Sequence, residues 1–410
     1  MNTAFQSSSE GASRVAVTGY GCVTALGGDV ASTWSRILAG ETARRPLSAI
    51  PVEGCRVTAG AEVDISALRT ANLRGKERSR ASVLIQEAAS EALNGAGLLD
   101  GAGRCSLKTV QFCVSTSACA MEMGEKFVRS IWDSKPGGRA AMVGQYQAQQ
   151  QVGELQKRFG FGGPVMIVAN ACASGANAIG HGFDLIRCGM AEIVFVAGYD
   201  ALCELVFAGF DGLQSLAPEA CRPFDRKRNG LMLGEGAAFL VLESVEHVRR
   251  RGARVVGTVE GYGHSTDLGH LTQPDQQGKP LIDAMQRALK VAGVHPSEIG
   301  YINAHGTATP LNDLAEARAV EQIFAGTDAR LSSTKSALGH TLGGAGAIEA
   351  VLCLQALNTG CLPPQINLVE PEELVADRLV RLGETRPLRR ALSLNLGFGG
   401  SAAALLLGAP

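Results

Sequence analysis

The chain has 410 residues, 46% of them hydrophobic and 19% charged, with a formal net charge of −1. That length supports one large or two ordinary domains with a sizeable core, and the composition excludes disorder. The near-neutral balance gives no reason to expect nucleic acid as a partner, and no uncharged apolar run reaches the ~20 residues of a membrane span.

In chain order, residues 1–13 (MNTAFQSSSEGAS) are polar and read as a loose tail, not an export signal. RVAVTGY reads as a strand, and the GYGCVT that ends it imitates a dinucleotide fingerprint. Thr24 replaces the third glycine, so nucleotide binding is set aside. LRGKERSR gathers Arg74, Lys76, Arg78 and Arg80, either a basic rim or a solvated helix face. LIQEAASEALNGAGL reads as a helix closed by Gly97, followed by the strand VQFCVST. The strand VMIVA, a small-residue stretch, the helix around GANAIGHGFDLI and the strands EIVFVAG and AFLVLES complete a first half. LIDAMQRALKVAGV then repeats the first helix, with Ile282, Met285, Leu289 and Ala292 on one stripe and Gly293 at the C-cap. The strand IGYINA, the run RLSSTKSALGHTLGGAGAIEAVLCLQAL and the strand LSLNLGF follow in the same order.

Short strands apolar on both faces suit central strands covered by helices on either side, an α/β architecture. With 51 glycines and 5% aromatics, the core is packed by small and aliphatic side chains in close approach. The repetition predicts two similar halves, 14–255 and 256–410, with a site at their junction. The eleven cysteines are odd in number and form no C-x-x-C pair. Free thiols and a cytoplasmic location are the expectation.

Four motifs carry chemistry. In NACASGANA, Cys172 follows a strand and precedes a helix, where free N–H groups and the dipole should lower the thiol pKa. Its neighbours are small enough to admit an acyl group. In NAHGTATP, His305 sits on a turn beyond a buried strand, a common place for catalytic groups. Thr307 and Thr309 alternate, so their hydroxyls can bind a polar tether. In STKSALGHTLGGAGAIEA, Lys335 can anchor Glu349 while His340 donates to a developing oxyanion. In LGFGG, the glycines expose the N–H of Phe398 as a second oxyanion donor, and its ring can act as a gate. Zinc is set aside because Cys172, His305 and His340 lack local metal spacing.

Together these motifs, with CRPFDRKRNGLMLGEGAAFLVLE, resemble the elongating β-ketoacyl-acyl-carrier-protein synthases of the thiolase superfamily, over nearly the whole chain. The Cys-His-His set resembles the elongating branch. The resemblance implies a five-layered αβαβα fold and a homodimer or heterodimer. It implies Cys172 as nucleophile and His305 and His340 as aids to decarboxylation of a malonyl thioester. The N–H groups of Cys172 and Phe398 would form the oxyanion hole, with Lys335 and Glu349 in support. Thr307 and Thr309 would contact the phosphopantetheine arm. The partner is an acyl carrier protein that brings that arm, and no metal or redox cofactor is required. Ser401, Ala402, Leu396 and Asn229 depart from the family pattern, and Ala118 is aligned where a bulky residue limits the acyl pocket. These changes suggest a specialised polyketide or polyene synthase. Alternatives are a synthase active only with a chain-length partner, a non-catalytic partner subunit, or a Cys172–His305 thiol hydrolase.

Overall fold

The computed structural model describes residues 14–69, 78–133 and 140–410. The tail 1–13 and the basic residues Arg74 and Lys76 lie outside the described residues. Among the described residues, ten strands share one hydrogen-bonded sheet. In chain order they are β1 (Val15–Thr24), β2 (Gln111–Ser115), β3 (Val165–Val168), β4 (Ile193–Asp200), β5 (Gly236–Glu243), β6 (Gly257–Thr266), β7 (Tyr301–Asn303), β8 (Arg330–Ser332), β9 (Arg390–Gly397) and β10 (Ser401–Gly408). Their order across the sheet is β8-β7-β9-β10-β6-β1-β5-β4-β2-β3.

That order is one pattern used twice. The first five strands run β1-β5-β4-β2-β3 from the middle outward, and the last five run β6-β10-β9-β7-β8. Pairing repeats as well. β2 is parallel to β3 and β4, and β7 is parallel to β8 and β9, while the inner pairs of both halves are antiparallel. The halves join where Val15–Val17 pair with Gly257–Val259.

The intervening helices repeat too: α1 (Arg80–Gly95), α2 (Ala148–Phe159) and α3 (Ser174–Arg187) in the first half, α4 (Lys279–Ala292), α5 (Pro310–Phe324) and α6 (Ala345–Thr359) in the second. Gly293 closes α4 at φ +66°, a left-handed conformation that glycine adopts without the strain a Cβ would bring. α1 covers β1 and β5 on one outer face, and α4 covers β6 and β10 on the other. α3 and α6 pack between, each touching strands of both halves. With the two halves of the joined sheet counted as separate layers, this gives helix, sheet, helix, sheet, helix. Three separate apolar clusters fill the spaces between the layers.

The middle layer dictates its own composition. α6 is buried on almost every side, so it has no polar face. α3 and α6 meet at their beginnings through Gly175 and Gly346. A Cβ on Gly175 would sit 2.6 Å from the Ala347 nitrogen, and one on Gly346 would sit 2.4 Å from the Ala176 nitrogen. These contacts bring the two helix starts together, and the site is built there.

One expectation about the strands needs correction. VMIV, read as a buried central strand, is the sheet edge β3, with Val165 and Met166 at 38% and 43% exposure. An apolar run reads the same whether its cover is its own helices or something outside the chain. The corresponding edge β8 is covered, because Val380 N–H donates to the Leu331 carbonyl at 3.0 Å and the preceding Leu379 bridges Leu331 in parallel.

Candidate active site

The chain leaves β3 and turns at Asn170–Ala173 into α3. Ala171 adopts φ +57°, a left-handed conformation that costs an L-residue about 1–2 kcal/mol. The Ser174 hydroxyl accepts from Asn170 N–H at 2.9 Å and donates to the Ala171 carbonyl at 2.5 Å, which holds the turn. Cys172 thereby faces a cavity of about 390 Å³. The expectation of a lowered thiol pKa is overturned. Burial pushes it up to about 12, against the pull of the Lys335 cation, while Asp200 and Glu349 add to the rise. The loss of water outweighs the helix N-terminus, so the resting group is a thiol.

His305 and His340 come to the same cavity from the second half. Their rings stand edge to face with centroids 5.3 Å apart. Both are buried, and among the described residues neither Nδ1 has a hydrogen-bond partner. Burial, and then the nearby Lys335 cation, hold both well below the usual histidine range, so both are neutral at pH 7. Lys335 and Glu349 do not line the cavity. They form a buried ion pair behind it, and Asn395 Nδ2 donates to Glu349 at 2.6 Å.

The His305 turn is fastened by two acids that sequence reasoning passed over. Glu316 accepts the N–H groups of His305 and Gly306 at 2.6 and 2.7 Å, and Asp313 accepts those of Ala308 and Phe224 at 3.1 and 2.8 Å. Burial pushes Glu316 up to about 8. Their signal was present: two acids one turn apart at the start of α5, just after a turn full of N–H donors. Thr307 and Thr309 line the cavity and hydrogen-bond each other at 2.9 Å.

The β9–β10 hairpin closes the wall. Gly399 and Gly400 take φ +82° and +81°, whereas Gly397 serves close approach, since a Cβ there would lie 3.2 Å from the Cys172 nitrogen. Phe398 is 41% exposed and stacks on Phe210 with centroids 5.7 Å apart. Gly399 N–H donates to the Leu271 carbonyl at 2.7 Å, so the hairpin is stitched to the loop at the cavity mouth. Among the described residues, neither the Cys172 nor the Phe398 N–H meets an acceptor outside its own residue. Ser401 accepts from Asn170 at 3.1 Å and Asn177 at 3.3 Å, tying the hairpin to the Cys172 turn. Leu396 lines the cavity; Ala118 does not, and Asn229 is exposed.

Of the four basic residues considered as a rim, Arg78 and Arg80 are described. Arg80 is turned inward in an ion pair with Glu235, and Arg78 donates to Gln86 at 3.1 Å. The Arg80 guanidinium also donates to the Val63 carbonyl at 2.9 Å, and its backbone N–H donates to the buried Glu122 at 2.8 Å. Among the described residues, no group of three His, Cys, Asp or Glu side chains is placed to hold a metal. No described helix is long and apolar enough to cross a membrane.

A duplicated five-layered fold with a buried cysteine, two neutral histidines and unpaired backbone donors around one cavity is an architecture for acyl transfer through a thiol. Comparison with known proteins gives the family. Residues 12–247 match the model "Beta-ketoacyl synthase, N-terminal domain" and residues 256–369 match "Beta-ketoacyl synthase, C-terminal domain". The 3-oxoacyl-[acyl-carrier-protein] synthase 2 of Rhizobium meliloti (strain 1021) is 34% identical, covering 96% of this chain and 98% of its own. The solved ishigamide ketosynthase/chain length factor superposes with TM-score 0.89 at 30% identity, covering 97% and 99%. A type II polyketide acyl-carrier protein in complex with its ketosynthase bound to the hexaketide gives TM-score 0.86 at 27% identity, covering 97% and 99%. The chain belongs to the beta-ketoacyl synthase family, the acyltransferase-type condensing enzymes.

Proposed function

We propose that this enzyme lengthens a thioester-bound acyl chain by decarboxylative Claisen condensation in fatty-acid or polyketide synthesis. The observation that carries the reading is the convergence on one cavity of Cys172, His305, His340 and two N–H groups that meet no acceptor outside their own residue among the described residues. Cys172 attacks the acyl thioester on the phosphopantetheine arm of a carrier protein. A new C–S bond forms, the old one breaks, and the carrier leaves as a thiol with the cysteine's proton. A malonyl-carrier thioester then enters. Its carboxylate carbon bond breaks, CO₂ departs, and the electron pair becomes an enolate. The neutral imidazoles of His305 and His340 donate N–H to that enolate oxygen without transferring a proton. The enolate carbon attacks the Cys172 thioester, and the N–H groups of Cys172 and Phe398 hold the tetrahedral oxyanion. That attack forms the carbon–carbon bond; collapse of the oxyanion then breaks the C–S bond and releases Cys172 as a thiolate, which takes a proton from solvent. Breaking the thioester and losing CO₂ drive the sequence, so it calls for no redox or metal cofactor.

The remaining residues follow from position. Burial, and then the Lys335 cation held in its ion pair with Glu349, keep both histidines unprotonated. Thr307 and Thr309 offer hydroxyls to the arm's amides. The apolar edge β3 favours a second subunit, since its covered counterpart β8 shows what such an edge takes up within the chain. That subunit is a copy of this chain or a related chain-length partner. The departures at Leu396 and Ser401, one lining the cavity and one at its hinge, favour a specialised polyketide or polyene acyl group over ordinary saturated chains.

Intact-mass spectrometry tests the reading. The wild type should gain an acyl mass from acyl-carrier thioesters and then yield β-ketoacyl-carrier on malonyl addition, while Cys172→Ala gains nothing and loses at least about 10³-fold in product formation. Free acid in place of a longer chain would make it a hydrolase. Preference for saturated over unsaturated donors would remove the specialised branch.

A further inference from the structure

Asp200 ends β4 with its side chain wholly buried at the junction of the halves. Its carboxylate accepts from the Thr116 hydroxyl at 2.6 Å, from Ser117 N–H at 2.9 Å and from Ala118 N–H at 2.8 Å, all in the first half. It also accepts from Gly343 N–H at 2.7 Å, in the second half.

Gly343 lies three residues beyond His340. On its other side His340 is anchored through its own backbone, with its N–H on the Met232 carbonyl at 2.7 Å and its carbonyl taking Gly234 N–H at 3.0 Å. Between the two anchors Leu342 sits at φ +51°. A branched side chain keeps that conformation only where the surroundings over-determine it. The Asp200 carboxylate is the fixed charge on that side, held by four donors that leave it no freedom to move.

We infer that Asp200 is a positioning residue for decarboxylation, pinning the backbone beyond His340 so that the imidazole is held against the malonyl thioester. Burial raises its carboxyl to about 6, with the hydrogen bonds resisting the rise, so at pH 7 it is an anion suited to four donors. The inference rests on the condensing reading above and assigns Asp200 to one step of it. Asp200 makes no hydrogen bond to the Cys172 turn and its charge only raises the Cys172 thiol, so losing that charge should not slow acyl loading.

The test measures two steps on the full-length enzyme: the rate at which Cys172 gains an acyl mass from a short acyl-carrier thioester, and CO₂ release from malonyl-carrier protein by the loaded enzyme. Asp200→Asn keeps the volume but turns an amide toward donors. It should cut CO₂ release at least about tenfold while loading stays within about threefold. Thr116→Val removes only one donor to Asp200, so it carries the test if Asp200→Asn does not fold; it should slow the same step by about threefold. Equal losses in both steps, or no loss in either, would overturn the inference. A wild type that never loads would instead strike the condensing reading itself.

Discussion

The two halves each carry a three-residue 3-10 turn leading into a central helix, Ala171–Ala173 before α3 and Leu342–Gly344 before α6. Both turns open on a residue forced into the left-handed region, Ala171 at φ +57° and Leu342 at φ +51°. In the second turn the middle residue is glycine and its N–H is taken by Asp200. In the first the middle residue is Cys172, and its N–H has no acceptor beyond its own residue among those described. The strand position that gives Asp200 at the end of β4 gives Gly397 at the end of β9. The same backbone device therefore has its N–H taken in one half and left open beside the cavity in the other. What separates them is one satisfied donor and one missing side chain.

Four changes would break or sharpen that comparison. His340→Ala removes a donor to the enolate, and CO₂ release should fall by about 10²–10⁴-fold in a single-turnover assay. Gly397→Ala places a methyl 3.2 Å from the Cys172 nitrogen and so makes the live turn resemble the silent one. Loading of Cys172, followed by mass, should slow by about tenfold or more. Gly343→Ala probes the silent side, where a Cβ would meet Ser117 N at 2.6 Å. It should cost about 1–3 kcal/mol in denaturant unfolding. The smallest effect is on pH. Both histidines sit well below 6.5 in the folded protein, and the unfolded chain binds protons that the folded chain refuses. Their stabilising contribution is present above pH 6.5 and declines as pH falls below it, seen as a falling melting temperature toward pH 5. Histidine protonation should leave the rate of CO₂ release flat between pH 6.5 and 8.

Much of this was legible before any coordinates. The order of helices and strands announced two similar halves, because glycine closures such as Gly97 and Gly293 mark helix ends locally. Cys172, His305 and His340 stood out because each sits on a turn among small residues. Three features were not legible for physical reasons. The thiol pKa depends on how much water is excluded, and a helix N-terminus reveals nothing of that. The exposure of β3 depends on what lies beyond the sheet, which VMIV does not encode. Asp200 and Arg80 each act through partners that are far off in sequence, where residue type carries no signal.

The middle layer sets a limit on how such an enzyme can be altered. α3 belongs to one half and α6 to the other, yet each is wrapped by strands of both, and Gly175 and Gly346 leave no room for so much as a methyl group between their starts. A recombinant exchange of one half with a relative would graft one helix against a surface shaped for another. The unit that can be inherited, swapped or redesigned is the pair of facing helices, and the boundary between the halves is a poor place to cut.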